Sequence, residues 1–413
     1  MSGSPIDGNS LDVDNQRMGI VGMNDALCFW SGPTSAKRDG MIHSVEIENF
    51  KNIRHQKIDL ERLTVFVGPN GCGKTSVLQA IHRAVQSVVT GFSHQDTWWQ
   101  DRRSVWAQSL DWLATRGVSG EMTLRFTTPA GKFSVTLLPI DVIPSNANET
   151  YNRVWMPDVK MPGGFARTVE TDAAFHLLAI RLDASKLAEP SYSDRSPPMM
   201  GSDGNGLPSV LAYMALNDPD WFETLVDELR SLIPQIRRLR FTKLPVTREE
   251  TELVRFGSES IERRLTREFQ GDAILIDYQN AKGVMAQTVS EGTMLLLGLL
   301  TVLLGPDAPD VLLLDDIEHG LHPLAQKTLL ETLTAIMERF PNLQILATAH
   351  SPYLLDCLQP EQVRLMTIGS DGYSLCGKLT DHPEFGKWKD EMAPGELWSL
   401  FGEKWLAEAS ATP

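Results

Sequence analysis

The eight residues Gly68-Pro69-Asn70-Gly71-Cys72-Gly73-Lys74-Thr75 decide the fold. They spell GxxxxGK[ST], and their flanks supply the context that this motif requires. Leu63 to Val67 is a short apolar run that Gly68 breaks, which reads as a strand; Ser76 to Val89 carries helical spacing. A glycine-rich loop between strand and helix turns backbone N–H groups inward around phosphate oxygens. The expected contacts are Asn70, Gly71, Gly73, Lys74, Thr75 and Ser76. Lys74 places a point charge at the β- and γ-phosphates, and the Thr75 hydroxyl can ligate Mg²⁺. Cys72 lends only its backbone. ATP and Mg²⁺ are therefore the expected ligands.

Three further strings follow in order. Val311-Leu312-Leu313-Leu314-Asp315-Asp316 is an apolar strand that ends in acid, the way a Walker B element sets a carboxylate beside Mg²⁺. Asp315 would hold the metal through water. A core strand capped by surface acids has the same look, and the pairing with the phosphate loop selects the metal reading. Ser290-Glu291-Gly292-Thr293 opens an apolar helix. Alone it is a helix cap; a serine hydroxyl and a glycine N–H at a helix N-terminus also form an anion site. It lies 25 residues before Asp315, room for one helix and a turn. Thr348-Ala349-His350-Ser351-Pro352 follows the strand-like Leu343–Ala347. A histidine at a strand end can touch a γ-phosphate and sense its loss.

Composition bounds the rest. The chain has 413 residues, 42% hydrophobic and 22% charged, as in a soluble globular protein. Its net charge of −15 argues against a surface that wraps nucleic acid throughout, while leaving a local basic groove open. Cys28, Cys72, Cys357 and Cys376 form no CxxC pair and suit a reducing compartment. No secretory pattern is visible, and the longest apolar run, Met294 to Leu304, is too short for a bilayer. The expectation is a cytoplasmic protein with no membrane partner.

Strands alternating with helices predict an α/β fold around a mostly parallel sheet. Residues 1–40 lack hydrophobic period and read as a disordered extension, and Met41 is a candidate native start. Residues 41–188 should form the N-terminal part of an ATPase lobe. Met122–Phe126 and Phe133–Leu138 look like a hairpin, residues 139–170 give little to read, and Leu177–Leu182 resembles a strand. Residues 189–290 should be a linker and a helical lobe that ends at Ser290, with helix over 208–235 and strand-like runs at Ile236–Phe241 and Ala273–Tyr278. Residues 291–413 should complete the ATPase lobe.

Together these strings resemble the SMC/RecF branch of the ABC ATPases, and most closely the small AAA-type ATP-binding proteins of prokaryotes. Ile47-Glu48-Asn49-Phe50-Lys51-Asn52-Ile53, the phosphate loop, Val289–Thr293, Glu318-His319-Gly320-Leu321-His322-Pro323 and Thr348–Pro352 carry the resemblance, which runs from Met41 to about Trp405. It implies an ABC-type P-loop head with an inserted helical lobe. It also implies ATP hydrolysis and a head-to-head dimer or larger homo-oligomer, in which Ser290 and Gly292 cap the nucleotide of the facing protomer. Lys51 is then near the phosphates, and Leu321-His322-Pro323 near the dimer seam. A separate effector such as a nuclease, in antiviral defence or genome maintenance, is the implied partner. A slow nucleotide-gated scaffold that holds or inhibits a partner protein, and a RecF-like DNA repair clamp, are the alternatives.

The chain departs from that pattern in three ways. Family members show Asp-Glu-Pro-Glu where this chain has Asp315-Asp316-Ile317-Glu318, so the water-orienting position carries a carboxylate one methylene shorter. Either Asp316 suffices at a slow rate, or Glu318 shares the general-base role. The Q-loop glutamine is unassigned among Gln95, Gln100 and Gln108. No long charged heptad run lies between Lys74 and Ser290, so no coiled-coil arm is expected. The short stretch after His350 is expected to leave no room for the TOPRIM nuclease of OLD-type proteins.

Two basic groups, Arg237, Arg238, Arg240 and Lys243 and then Arg263, Arg264 and Arg267, read either as phosphate contacts or as solvated faces. Trp98, Trp99, Arg102, Arg103, Trp106 and Trp112 interleave aromatics with arginines, so nucleic acid stays open as a partner. Gly395 to Leu406 reads as an amphipathic helix that docks on the chain's own sheet or on a partner.

Overall fold

The computed structural model describes residues 41–90, 121–129, 131–142, 152–160, 176–256, 259–305, 308–318 and 322–410. The 1–40 extension, the Trp-rich segment with Gln95, Gln100 and Gln108, and His319, Gly320 and Leu321 lie outside the described residues.

Strands β1 (Ser44–Phe50) and β2 (Ile53–Asp59) pair across a two-residue turn at Lys51 and Asn52. β1 buries Val45, Ile47 and Phe50 and turns Glu46 and Glu48 outward, the period-two pattern of a sheet with one wet face. β3 (Leu63–Val67) then leads through the phosphate loop into helix α1 (Lys74–Thr90). β4 (Met122–Thr128), β5 (Gly131–Val142) and β6 (Asn152–Lys160) complete an antiparallel sheet ordered β2-β1-β4-β5-β6. The expected hairpin at 122–138 is its centre, and β6 emerges from the 139–170 stretch that showed no period.

β7 (Leu177–Ile180) and α2 (Ala184–Ala188) precede α3 (Leu207–Asn217) and α4 (Pro219–Leu232). β8 (Ile236–Phe256) and β9 (Glu259–Tyr278) form a long antiparallel hairpin, with β10 (Val284–Met285) beside β9. The strand-like runs in the sequence marked only the root of this hairpin. Farther out, the half-buried face carries Leu244 and Val246 but then Arg248 on β8, and only Leu265 and Phe269 on β9, too few apolar residues to read as a strand. Residues 207–278, expected to lie in a helical lobe, thus form two helices and a ribbon.

α5 (Glu291–Leu303), β11 (Val311–Leu314), α6 (Pro323–Arg339), β12 (Gln344–Ala349), α7 (Pro352–Leu355), β13 (Val363–Ile368), β14 (Ser374–Lys378), α8 (Pro394–Phe401) and α9 (Lys404–Ser410) complete the chain. A second sheet runs β14-β13-β3-β12-β11-β7, parallel throughout except at β13–β14. Its central strands are covered on both faces, which is why they read as unbroken apolar runs. Phe66, Val311 and Leu313 join a core with Val77 and Ile81 of α1 and Ile47, Phe50 and Phe126 of the antiparallel sheet. Val65, Val67, Leu312 and Leu314 face a larger core made with α3, α4, α5 and α6. α1 is therefore held between the two sheets, and its N-terminus, with the phosphate loop, is set by packing on both sides.

The expected C-terminal helix is two short ones, broken at Gly402 where φ is +62°. Leu397 and Leu406 join the chain's own core, and a Cβ at Gly377 of β14 would meet Leu406 at 2.4 Å. Among the described residues no helix is long and apolar enough to cross a membrane.

Candidate nucleotide site

The phosphate loop leaves β3 at Gly68, where φ is +148° and a Cβ would stand 2.1 Å from the Met366 carbonyl oxygen. Only glycine fits that exit. Lys74 begins α1 and is 4% exposed; its Nζ donates to the carbonyls of Gly68 at 2.9 Å and Pro69 at 3.0 Å. The ammonium therefore sits inside the loop's curve, at the place expected for phosphate oxygens. Asn70 and Gly71 are exposed at the loop crest, Gly73 is buried beneath it, and Ser76 is half-buried in the first turn of α1.

The acids converge from the next strands. β11 ends at Leu314, beside Ile180 of β7 and Ala347 of β12. Asp315 Oδ1 accepts from the Thr75 hydroxyl at 2.9 Å and from the Thr348 hydroxyl at 2.7 Å. Three oxygens from separate elements, one of them a carboxylate, meet at hydrogen-bond distance beside a buried ammonium. That donor set fits a hard divalent cation such as Mg²⁺, for which Thr75 and Asp315 are the side chains in place.

Asp316 follows at φ +49°, a left-handed conformation that aspartate adopts more readily than glutamate. This gives a physical reason for the shorter acid here. Its backbone N–H donates to Thr348 Oγ1 at 2.8 Å, its Oδ2 accepts from Arg181 at 3.0 Å, and His350 Nε2 lies 3.4 Å from its Oδ1. Glu318 is 9% exposed; Oε1 accepts from the His350 backbone N–H, and Oε2 has no partner among the described residues. Burial pushes the Glu318 carboxyl above its ordinary value, and the His350 N–H opposes this only in part.

A raised carboxyl pKa makes ionised Glu318 a cost to the fold. That cost is absent below the ordinary glutamate range near ~4.3 and grows as pH rises through the higher native value. Glu318→Gln keeps the acceptor for His350 N–H and removes the charge. The variant should melt higher than the parent at pH 7.5 and lose that advantage near pH 4; thermal melts across this range check it.

Lys51, at φ +53° in the β1–β2 turn, donates to Gln79 Oε1 on α1. Desolvation lowers its pKa, the neighbouring Arg83 adds to this, and Asp315 opposes it, so the ammonium faces the acid end of the site. Asn52 of the same turn donates to the Gly71 carbonyl at 3.1 Å, and Ser374 Oγ donates to the Cys72 carbonyl at 2.7 Å. The structure thus gathers Lys51, Lys74, Thr75, Asp315, Asp316, Glu318 and His350 around one loop. Ser290 and Gly292 stand elsewhere, at the start of α5. Ser290 Oγ lies 2.8 Å from Thr293 Oγ1 and accepts from the Thr293 N–H at 3.4 Å as an N-cap.

Sequence reasoning missed Arg181 and the role of Thr348. Arg181 is one residue past β7, a strand recognisable by its apolar run, but its place beside Asp316 needs the parallel pairing of β7 with β11, 135 residues away. Asn52 and Ser374 were missed because their bonds go to loop carbonyls, which leave no pattern in a sequence.

Two family models match these same pieces. An AAA ATPase domain model matches residues 41–96, which hold Lys51 and the phosphate loop. An AAA domain model, described with the AbiEii toxin of type IV TA systems, matches residues 201–356, which hold Ser290, Asp315, Asp316 and His350. The OLD nuclease of Thermus scotoductus is 22% identical over 359 residues, a match taking in 80% of this chain and 63% of that protein. The chain thus spans less than two thirds of that relative's length. Solved structures with a similar course include the SMC head domain from Thermotoga maritima, at 13% identity and TM-score 0.44, covering 82% of this chain and 98% of that one. An SmcHead bound to the C-winged helix domain of ScpA matches at 14% and 0.46, covering 84% and 99%. RecF with ATPrS, a recombination mediator of the RecFOR pathway, matches at 14% and 0.40, covering 81% and 97%.

Proposed function

We propose that the chain carries an OLD-like ATPase head that binds ATP with Mg²⁺ at Gly68–Thr75 and Asp315, hydrolyses it, and does so as a head-to-head dimer. The AAA-type family matches and the likeness to an OLD nuclease support this reading. The meeting of the Thr75, Thr348 and Asp315 oxygens beside Lys74 carries the reading. Mg²⁺ bound there would neutralise charge on the phosphate oxygens. The loop's N–H groups and Lys74 orient the phosphates, and Asp316 orients the attacking water and takes its proton. Arg181 and Thr348 hold the Asp316 carboxylate and backbone in place for that step. His350, against the same carboxylate, is placed to respond when the terminal phosphate leaves. Ser290 and Gly292 would close over the nucleotide of the facing protomer.

Opening and closing of the heads would then control a separate effector. The likeness to an OLD nuclease supports a nuclease as that effector and antiviral defence or genome maintenance as the setting. One observation favours the slow scaffold as a second reading: the Asp316 carboxylate, already the shorter acid, has Arg181 bonded to one oxygen and His350 near the other.

Asp316→Asn tests the chemistry. Steady-state hydrolysis should fall by about 100-fold while ATP affinity holds, because proton transfer by a positioned base is worth that much. An unchanged rate removes Asp316 from the mechanism and returns the base role to Glu318. A parent protein that binds ATP and assembles without measurable turnover establishes the scaffold instead.

A further inference from the structure

Away from the nucleotide site, unmatched charges of both signs stand on one surface. The root of the β8–β9 hairpin holds an open cleft of about 700 Å³, lined by Arg230, Arg237, Arg238, Arg240 and Lys282. Asp277 matches Arg240 at 2.7 and 3.0 Å, and Asp227 matches Arg230 at 2.7 Å. Arg237, Arg238 and Lys282 are exposed and form no ion pair among the described residues. The register of β8 against β9 slips between Ile236 and Arg238, and this irregularity leaves two consecutive arginines exposed where an even strand would alternate.

The opposite sign lies on the helix that ends in the cleft. α4 brings Arg230 to the lining from its last turn, and upstream its solvent face presents Asp220, Glu223 and Asp227, all exposed. Steps of three and four residues set these acids in one stripe, about 10 Å long at the helical rise. Asp220 and Glu223 form no ion pair among the described residues. They stand about 15 and 10 Å before Arg230 along the axis, so a rigid helix keeps the two signs apart within one chain.

Two chains can join what one holds apart. Laid antiparallel about a two-fold axis, two α4 helices set the acidic stripe of each against the cationic cleft of the other, and every contact occurs twice. Leu216, 84% exposed where α3 gives way to α4, lies at the acidic end and adds an apolar side chain to that surface. A long polyanion is served less well, because beyond the cleft it runs onto the acids of α4. We propose that a second copy of this chain docks here, with Asp220 and Glu223 of each protomer on Arg237, Arg238 and Lys282 of the other. Exposed charge pairs are individually weak, so the pairing is dynamic and salt-sensitive. It needs no nucleotide and does not rest on the head-to-head dimer proposed above.

Sedimentation equilibrium of the full chain without ATP tests the pairing apart from head closure. The parent should self-associate at low salt, with a Kd that weakens about 10-fold between roughly 50 and 300 mM salt. Arg237→Glu with Arg238→Glu, and separately Asp220→Lys with Glu223→Lys, should each weaken it at least ~30-fold, because like charges then face each other at both contacts. All four side chains are exposed, so both variants should melt like the parent. An equimolar mixture of the two restores complementarity at both contacts and should form a heterodimer about as tight as the parent dimer; one chain carrying all four changes should pair with itself. A parent that stays monomeric at low salt, a charge variant that associates like the parent, or a mixture that fails to pair overturns the proposal. A labelled random-sequence duplex is the competing occupant. If a monomeric parent binds it and Arg237→Glu with Arg238→Glu abolishes that binding, the cleft belongs to nucleic acid and the proposal falls. Self-association by a parent that binds no ATP sinks the ATPase reading and leaves this interface standing.

Discussion

Lys74→Ala should leave no measurable ATP binding. The Lys74 ammonium is buried inside the curve of its own loop and donates to two backbone carbonyls, Gly68 and Pro69. Phosphate oxygens at that position would take over these bonds as charge-assisted ones, each worth about 1.5–3 kcal/mol. Two such bonds correspond to at least ~100-fold in Kd, and the lost charge inside a shielded loop adds to this. The loop itself should survive. Gly68 is seated against Met366, Asn52 holds the Gly71 carbonyl and Ser374 holds the Cys72 carbonyl, none of which involves Lys74. Titration calorimetry with ATP and Mg²⁺, beside a thermal melt, separates the two effects. An unchanged Kd would remove the loop from nucleotide binding altogether.

The loop was the most legible part of the chain because two kinds of signal agree there. Its glycines answer a backbone demand at Gly68 and Gly73, and its flanks are a strand buried on both faces and a helix packed between two sheets. The order of the later strings was legible as well, and the structure brings Asp315 to Thr75 and His350 to Asp316. What the text did not carry is lateral. Arg181 reaches Asp316 only because β7 lies parallel to β11 in a register that pairs Ile180 with Leu314. Thr348 bonds Asp315 only because β12 lies on the other side. Strand order is a property of the assembled sheet, and no local period encodes it. The β8–β9 hairpin failed for a different reason: its half-buried face holds a few apolar residues scattered among charged ones, too sparse to betray it.

These lateral contacts also bear on why the acid after Asp315 is short. Asp316 carries a positive φ, and its N–H is committed to Thr348. A glutamate there would meet more backbone strain and carry its carboxylate one methylene farther from the backbone. The aspartate, its backbone bond and the arginine form one unit, which Asp316→Asn perturbs at the carboxylate alone.

Gly292→Glu should abolish ATP-driven self-association while leaving the isolated head intact. An ideal Cβ at Gly292 meets nothing within 4 Å, so the protomer has space for the new side chain. Residue 292 lies in the first turn of α5, where a carboxylate is favourable to the helix dipole. The Ser290 cap on Thr293 is untouched, whereas Ser290→Arg would remove it at about 1 kcal/mol. Every cost of Gly292→Glu must then come from what approaches the turn from outside. If a facing protomer's γ-phosphate docks there, a carboxylate replaces an N–H-lined anion site with a like charge in a water-poor seam, and hydrolysis should drop about 1,000-fold. ATP affinity of the monomer should hold. Light scattering with and without ATP, beside turnover, reads both. A variant that still dimerises and hydrolyses like the parent would show that the Ser290 turn caps a helix and nothing more.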